Sequence, residues 1–221
     1  MDVKQQISDS GKGGNQSPAR RTGEVEGQRY TIREGSTILM DVDDTCLNWY
    51  HAFQKYCESL GMDPIFYPSF QGGADRYHCP TTNINLFEAI KNFNKSYDWM
   101  SSLEPINNSE KVLPDLMRYC DVHFVTACGD HPNTLKARVK NLHDVFGSHY
   151  SDLVIMTLGG HKNEIFKSFD HIDDVIVFED SLRQIDAGLN AGHQVFAHKM
   201  PWNDHIDHVD VIHDWRQITI S

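Results

Sequence analysis

The sequence predicts an α/β protein: a doubly wound parallel sheet with helices on both faces and an inserted, mostly helical cap after the first strand. Three observations predict it. From residue 36 onward, short apolar runs alternate with amphipathic stretches, the pattern of βαβ units. The apolar runs are bounded by polar and turn residues and are too short for buried helices. The first two runs lie far apart, with residues 42–120 between them, far more than a usual βα connection holds.

The expected strands are 37–41 (TILMD), 121–126 (DVHFVT), 153–157 (LVIMT), 174–179 (DVIVFE) and 193–197 (HQVFA), with an edge strand at 209–212 (VDVI). Helical stretches fall between them at 109–119, 131–146, 162–169 and 181–191. The second of these places Leu135, Val139, Leu142, Val145 and Phe146 on one stripe, with Pro132 in its first turn and Gly147 at its end. The long interval begins with a helix over 47–60 that stops at Gly61. A loop-like stretch over 62–80 carries Pro64, Pro68, Gly72, Gly73 and Pro80. A second helix over 83–100 has Leu86, Phe87, Ile90 and Phe93 as its stripe. The domain division expected is a flexible polar tail over 1–34, a catalytic core over 35–46 and 109–221, and a helical cap over 47–108. Residues 1–28 show why the tail is set apart: they are polar, rich in Gly, Ser and Gln, and lack apolar periodicity.

Composition excludes several function classes. The 221 residues include no apolar stretch near the roughly 18 needed to cross a bilayer, and no apolar region follows the N-terminal charges as in a secretory signal. A net charge of −11 argues against wrapping a nucleic-acid backbone. It leaves small anions open, because a bound cation and one lysine reverse the sign locally. Five cysteines without a C-x-x-C pair read as reduced thiols, and so as a cytoplasmic protein. The cluster His198, His205, His208 and His213 fits no zinc spacing and reads as surface or packing histidines.

In a parallel sheet, ligands collect at the carboxyl ends of the strands. The first strand ends in Asp41-Val42-Asp43-Asp44-Thr45, three carboxylates within four positions that repel one another if all are ionised. The second ends in Thr126. After the third comes LGGHKNEIF, with Lys162 opening a helix, and the fourth ends in Glu179-Asp180-Ser181. Carboxylates, a hydroxyl and a lysine therefore converge on one edge.

This order resembles the haloacid dehalogenase-like hydrolase superfamily. Its four motifs are D-x-D-x-[T/V], a strand-terminal Thr or Ser, a Lys, and an acidic pair or spaced acids. The resemblance covers residues 36–200 and includes an insert where that family carries its first type of cap; it implies a Rossmann-like sheet. It also implies that Asp41 is the nucleophile, forming an aspartyl-phosphate, and that Asp43 protonates the leaving oxygen and then deprotonates water. Thr126 and Lys162 would hold the phosphoryl oxygens, and Thr45 would add a supporting hydrogen bond. Mg²⁺ would be held by Asp41, Asp180, the carbonyl of Asp43 and, as a further candidate, Glu179. Asp44 is left to face solvent or to cap the turn. The family's fourth motif often has a second acid where this chain has Gln184, so Glu179-Asp180 reads as the adjacent-acid variant. Asp186 reads as surface. Lys167 is the rival to Lys162, which is preferred for its place at the loop-to-helix junction.

An acid at position 43 disfavours a dehalogenase, whose leaving group needs no proton, and an ATP-driven pump. A phosphatase is the default and a phosphomutase stays open. Trp49, Tyr50 and Phe53 follow the nucleophile loop and could stack on a base, or they could be cap core. The carboxyl end, FAHKMPWNDHIDHVDVIHDWRQI, is similar to that of the small 5′(3′)-deoxyribonucleotidases, with a Pro-aromatic-Asn loop followed by a Trp-containing last helix. The substrate this implies is a (deoxy)nucleoside monophosphate. The alternatives are another small phosphate ester (a sugar phosphate or phosphoglycolate), a polynucleotide end, or a silent binding protein of the same fold. A homodimer is left open.

Overall fold

The structure, a computed structural model, describes residues 27–62, 65–66, 77–78 and 86–221. The elements in chain order are β1 (Tyr30–Ile32), β2 (Thr37–Met40), α1 (Trp49–Ser59), β3 (Ile65–Phe66), β4 (Tyr77–His78), α2 (Leu86–Lys95), α3 (Tyr97–Met100), α4 (Ser109–Tyr119), β5 (Asp121–Thr126), α5 (Pro132–Phe146), β6 (Asp152–Ile155), α6 (Asn163–Lys167), β7 (Val175–Glu179), α7 (Leu182–Asn190), β8 (Gln194–His198), β9 (Asp210–Ile212) and β10 (Ile218–Ile220). Single 3₁₀ turns occupy Pro201–Asn203 and Trp215–Gln217.

Six of these strands form one sheet in the order β6-β5-β2-β7-β8-β9, every neighbouring pair parallel. Parallel pairing explains the continuous apolar runs: β2 and β7 are buried along their whole length. The chain winds outward from β2 first one way and then the other, so the order reverses between β2 and β7. That switch point opens a crevice at the carboxyl ends of the central strands. β9 is the expected edge strand.

Three readings are corrected. The tail is shorter than residue 34, because Tyr30–Ile32 form β1, which pairs in parallel with β10; Ser221 N donates to Ile32 O at 3.0 Å and Glu34 N to Ser221 O at 2.9 Å. Residues 1–26 lie outside the described residues, as does Cys79. The stretch 62–80 is not wholly loop, since β3 and β4 form an antiparallel pair; its Pro64, Pro68, Gly72, Gly73 and Pro80 are outside the described residues. The helix expected over 83–100 is divided at Ser96, whose backbone is extended.

The stripe on α5 is displaced rather than absent. Leu142 and Phe146 are buried as expected, but Val139 is exposed, and Thr134, Ala137, Arg138 and Asn141 turn inward. Two of the polar members find backbone partners: Thr134 Oγ1 donates to Asn94 O at 2.6 Å and Asn141 Nδ2 to Leu103 O at 2.9 Å. A buried polar group with a partner costs little, so the inward face does not have to be the most apolar one.

The insert shares its core with the sheet. Phe53, Phe93, Met100 and Leu103 belong to the same buried cluster as Ile38, Phe124 and Leu142. Trp49 stacks on Phe53 at 4.9 Å and meets Phe93 edge-on at 5.4 Å. Trp49 and Phe53 are therefore chiefly core residues of the insert. Among the described residues, no helix is long and apolar enough to cross a membrane.

Candidate active site

Asp41 directly follows β2, and its N–H donates to Phe178 O at 3.0 Å, so the sheet ladder fixes its backbone. The chain then turns sharply. Cys46 N and Leu47 N both return to Val42 O, at 3.1 and 2.9 Å. Asp44 takes the left-handed conformation, with φ of 60°, which Asp tolerates better than most residues. Asp44 does not face solvent. It is buried, and its Oδ1 accepts from Tyr50 N at 2.7 Å, so it caps the start of α1. Its carbonyl accepts from His198 Nδ1 at 2.7 Å, while His198 Nε2 meets Asn107 Nδ2 at 3.0 Å. Burial lowers the His198 pKa to about 4, so this histidine is a neutral clamp and belongs to no metal cluster. Trp215 Nε1 donates to Thr45 O at 3.0 Å and closes the loop from behind.

Within this loop the two aspartates are gripped in matching ways. Asp41 Oδ1 pairs with Lys162 Nζ and its Oδ2 accepts from Thr45 Oγ1 at 3.1 Å. Asp43 Oδ1 pairs with Arg138 Nη2 at 2.5 Å and its Oδ2 accepts from Thr126 Oγ1 at 3.5 Å. Each carboxylate has one cation and one threonine hydroxyl. Burial pushes the Asp43 pKa up, with Asp41 adding to the rise and Arg138 opposing it.

Lys162 is buried just before α6, where its own N–H donates to Gln184 Oε1 at 3.0 Å. Gln184, at the position of the family's second acid, thus serves as a strut: its Nε2 also donates to Gly160 O at 2.9 Å. Lys162 bridges Asp41 and Glu179. Burial opposes its charge, yet those two carboxylates hold its pKa above the ordinary lysine value. Lys167 instead pairs on the surface with Glu164, and Asp186 is an exposed neighbour of His208.

At the end of β7, Glu179 uses one oxygen for Lys162, and its Oε2 accepts from Asp180 N and Ser181 N at 3.2 and 3.4 Å. Asp180 is oriented by the Pro201–Asn203 turn. Trp202 Nε1 donates to its Oδ2 and Asn203 Nδ2 to its carbonyl, both at 2.9 Å. Burial, with Asp41 and Glu179 nearby, drives the Asp180 pKa well up. Asp44 is raised in the same way by burial.

These groups line one cavity of about 220 Å³. Five carboxylates face it, those of Asp41, Asp43, Asp44, Glu179 and Asp180, against the cations Lys162 and Arg183. Tyr50 and Trp202 form an aromatic wall, their rings meeting edge-on at 5.6 Å. Oxygens of Asp41, Glu179 and Asp180 lie within 4.8 Å of one another. Three buried carboxylates this close together are a donor set that fits a hard divalent cation. Thr126 is buried and is absent from the cavity wall, where Ala127 stands; its hydroxyl serves Asp43.

Arg138 and Trp202 were not among the residues expected here. Arg138 could have been suspected as the one cation on the inward half of α5, but only if that half had been known. Trp202 had a local signal in the Pro-aromatic-Asn turn.

A 5′(3′)-deoxyribonucleotidase of Bacillus subtilis is 31% identical over 127 residues, which span 56% of this chain and 69% of that protein. The chain belongs to the haloacid dehalogenase-like hydrolases. A further relative, an uncharacterized 32.4 kDa protein of Enterobacteria phage T4, is 26% identical over 151 residues, 66% of this chain; the chain spans only 54% of that relative's length. Among solved structures, a haloacid dehalogenase-like hydrolase of Streptococcus pneumoniae has the same fold, with a TM-score of 0.57 at 13% identity over 83% of this chain and 96% of that one. The HAD-hydrolase YfnB of Bacillus subtilis, bound to magnesium, superposes with a TM-score of 0.52 at 16% identity over 83% of this chain and 96% of its own. No protein-family model matches the chain.

Proposed function

We propose that the protein is a magnesium-dependent phosphomonoesterase that works through an aspartyl-phosphate, and that its substrates are (deoxy)nucleoside monophosphates. One observation carries the chemistry: two aspartates two residues apart, Asp41 buried and Asp43 half-buried, each fixed by a cation and a hydroxyl, face one cavity.

In the first step an Asp41 oxygen attacks phosphorus while the bond from phosphorus to the ester oxygen breaks. Asp43 gives its proton to the departing oxygen, so the alcohol leaves neutral. In the second step Asp43 takes a proton from water, the water oxygen attacks the same phosphorus, and the bond to Asp41 breaks. Inorganic phosphate leaves and both aspartates return to their starting states. Lys162 and Thr45 hold Asp41 in a single orientation, which matters because phosphoryl transfer depends mostly on positioning and electrostatics.

The residues that would hold Mg²⁺ are Asp41 and Asp180, with the Asp43 carbonyl. Glu179, the third carboxylate of the group, would be a further candidate ligand while it also holds Lys162. The ion would offset the negative charge shared between these carboxylates and the phosphoryl oxygens. Homology to the nucleotidase and the Tyr50–Trp202 wall, which can stack on a base, support the nucleotide reading.

The test is a panel of nucleoside monophosphates, sugar phosphates and phosphoglycolate, assayed with Mg²⁺ and again with EDTA. EDTA should stop turnover. The nucleotides should lead in kcat/KM by more than tenfold, about 1.4 kcal/mol of transition-state binding. A smaller lead would remove the nucleotide reading and leave a phosphatase of another small ester.

A further inference from the structure

Arg138 is among the largest fully buried side chains of the protein, 0% exposed on the inward face of α5. Burying a guanidinium is costly unless its donors are met. Here oxygen partners are few: Nη2 grips Asp43, Nε and Nη1 meet no oxygen acceptor, and the Cys128 thiol, a weak acceptor, is the other group against the guanidinium. A purely structural arginine would meet its carboxylate through two parallel bonds and spread its other donors over carbonyls. This one concentrates on a single oxygen. It is also absent from the cavity wall, so it cannot touch a substrate there.

We propose that Arg138 is the positioning residue of the acid–base carboxyl. It holds Asp43 Oδ1 from behind while Thr126 supports Oδ2, so Asp43 meets the departing ester oxygen in one orientation. Arg138 thereby does for Asp43 what Lys162 does for Asp41, and it acts only through Asp43. This inference rests on the phosphatase reading above.

The readout is leaving-group dependence. The p-nitrophenolate ion leaves without a proton, whereas the alkoxide of glycerol 2-phosphate needs one. kcat/KM reports the steps up to loss of the alcohol and so isolates the acid role. General-acid assistance is worth roughly 10²–10⁴ in rate. Arg138→Met should therefore lower kcat/KM on glycerol 2-phosphate by about a hundredfold and on p-nitrophenyl phosphate by less than about threefold. Arg138→Lys keeps the charge without the fork and should show the same selectivity at about tenfold; it carries the test if the Met variant does not fold. In an Asp43→Asn background, Arg138→Lys should cost nothing further on either ester. Equal losses on both esters, or losses that add to Asp43→Asn, would overturn the inference and leave the phosphatase reading standing. A wild-type protein inert on both esters would remove the phosphatase reading itself, and the role of Arg138 with it.

Discussion

The rim of the cavity and the brace behind it bury polar groups in opposite styles. On the rim, carboxylates outnumber cations, and burial together with neighbouring carboxylates pushes Asp43 and Asp180 up. In the brace, neutral groups pair almost completely. His198 joins the Asp44 carbonyl to Asn107, Asn203 Nδ2 serves the carbonyls of Asp180 and His198, and Trp215 ties Thr45. Satisfied neutral networks rigidify, and uncompensated buried charge destabilises. The molecule thus keeps its electrostatic tension where a charged ligand can relieve it, and surrounds that place with a tension-free frame.

The largest effect should come from the rim. Asp41→Asn should reduce turnover of p-nitrophenyl phosphate by at least about a thousandfold, as loss of a nucleophile does. Its melting temperature should stay level or rise, since one of the crowded buried charges is gone. A large fall in melting temperature would erase the distinction between rim and brace.

The brace should respond in the opposite sense. Trp215 is fully buried against Phe178 and bonded to Thr45. Trp215→Ala should cost about 3–5 kcal/mol in denaturant unfolding. The folded fraction should keep turnover within about tenfold of wild type, a smaller loss than general acid–base catalysis supplies. The comparison would fail if stability held while activity vanished.

The smallest effect should come where the two regions meet. Trp202→Phe keeps the ring but removes the Nε1–H that orients Asp180. Outer-shell bonds of this kind are worth about 10–100-fold in metal affinity. A Mg²⁺ titration should therefore shift by that amount at little cost in stability. An unchanged titration would mean that Asp180 does not need the indole, and would weaken its place in the proposed metal set.

How much of this was legible depends on the range of each interaction. The strands β2, β5, β7 and β8 could be read within a residue or so, because a central parallel strand is desolvated on both faces and leaves a local apolar run. The reading failed on α5, where Val139 is exposed and Arg138 is buried. Periodicity assumes that the inward face is apolar, and here polar partners from elsewhere in the chain overrode it. The pairing of β1 with β10 was hidden for the same reason: a three-residue strand carries too little local pattern to be seen without its partner.

The sequence alone determined the sheet, the place of the insert and the set of acids, hydroxyls and lysine at the strand ends, since a short apolar run and the residue that ends it are neighbours along the chain. Tertiary structure alone decided which charges meet. Asp43 and Arg138 are 95 positions apart, and Thr45 and Trp215 are 170 apart. No local pattern encodes such a pair, because its free energy depends on burial and geometry that exist only once the sheet has formed.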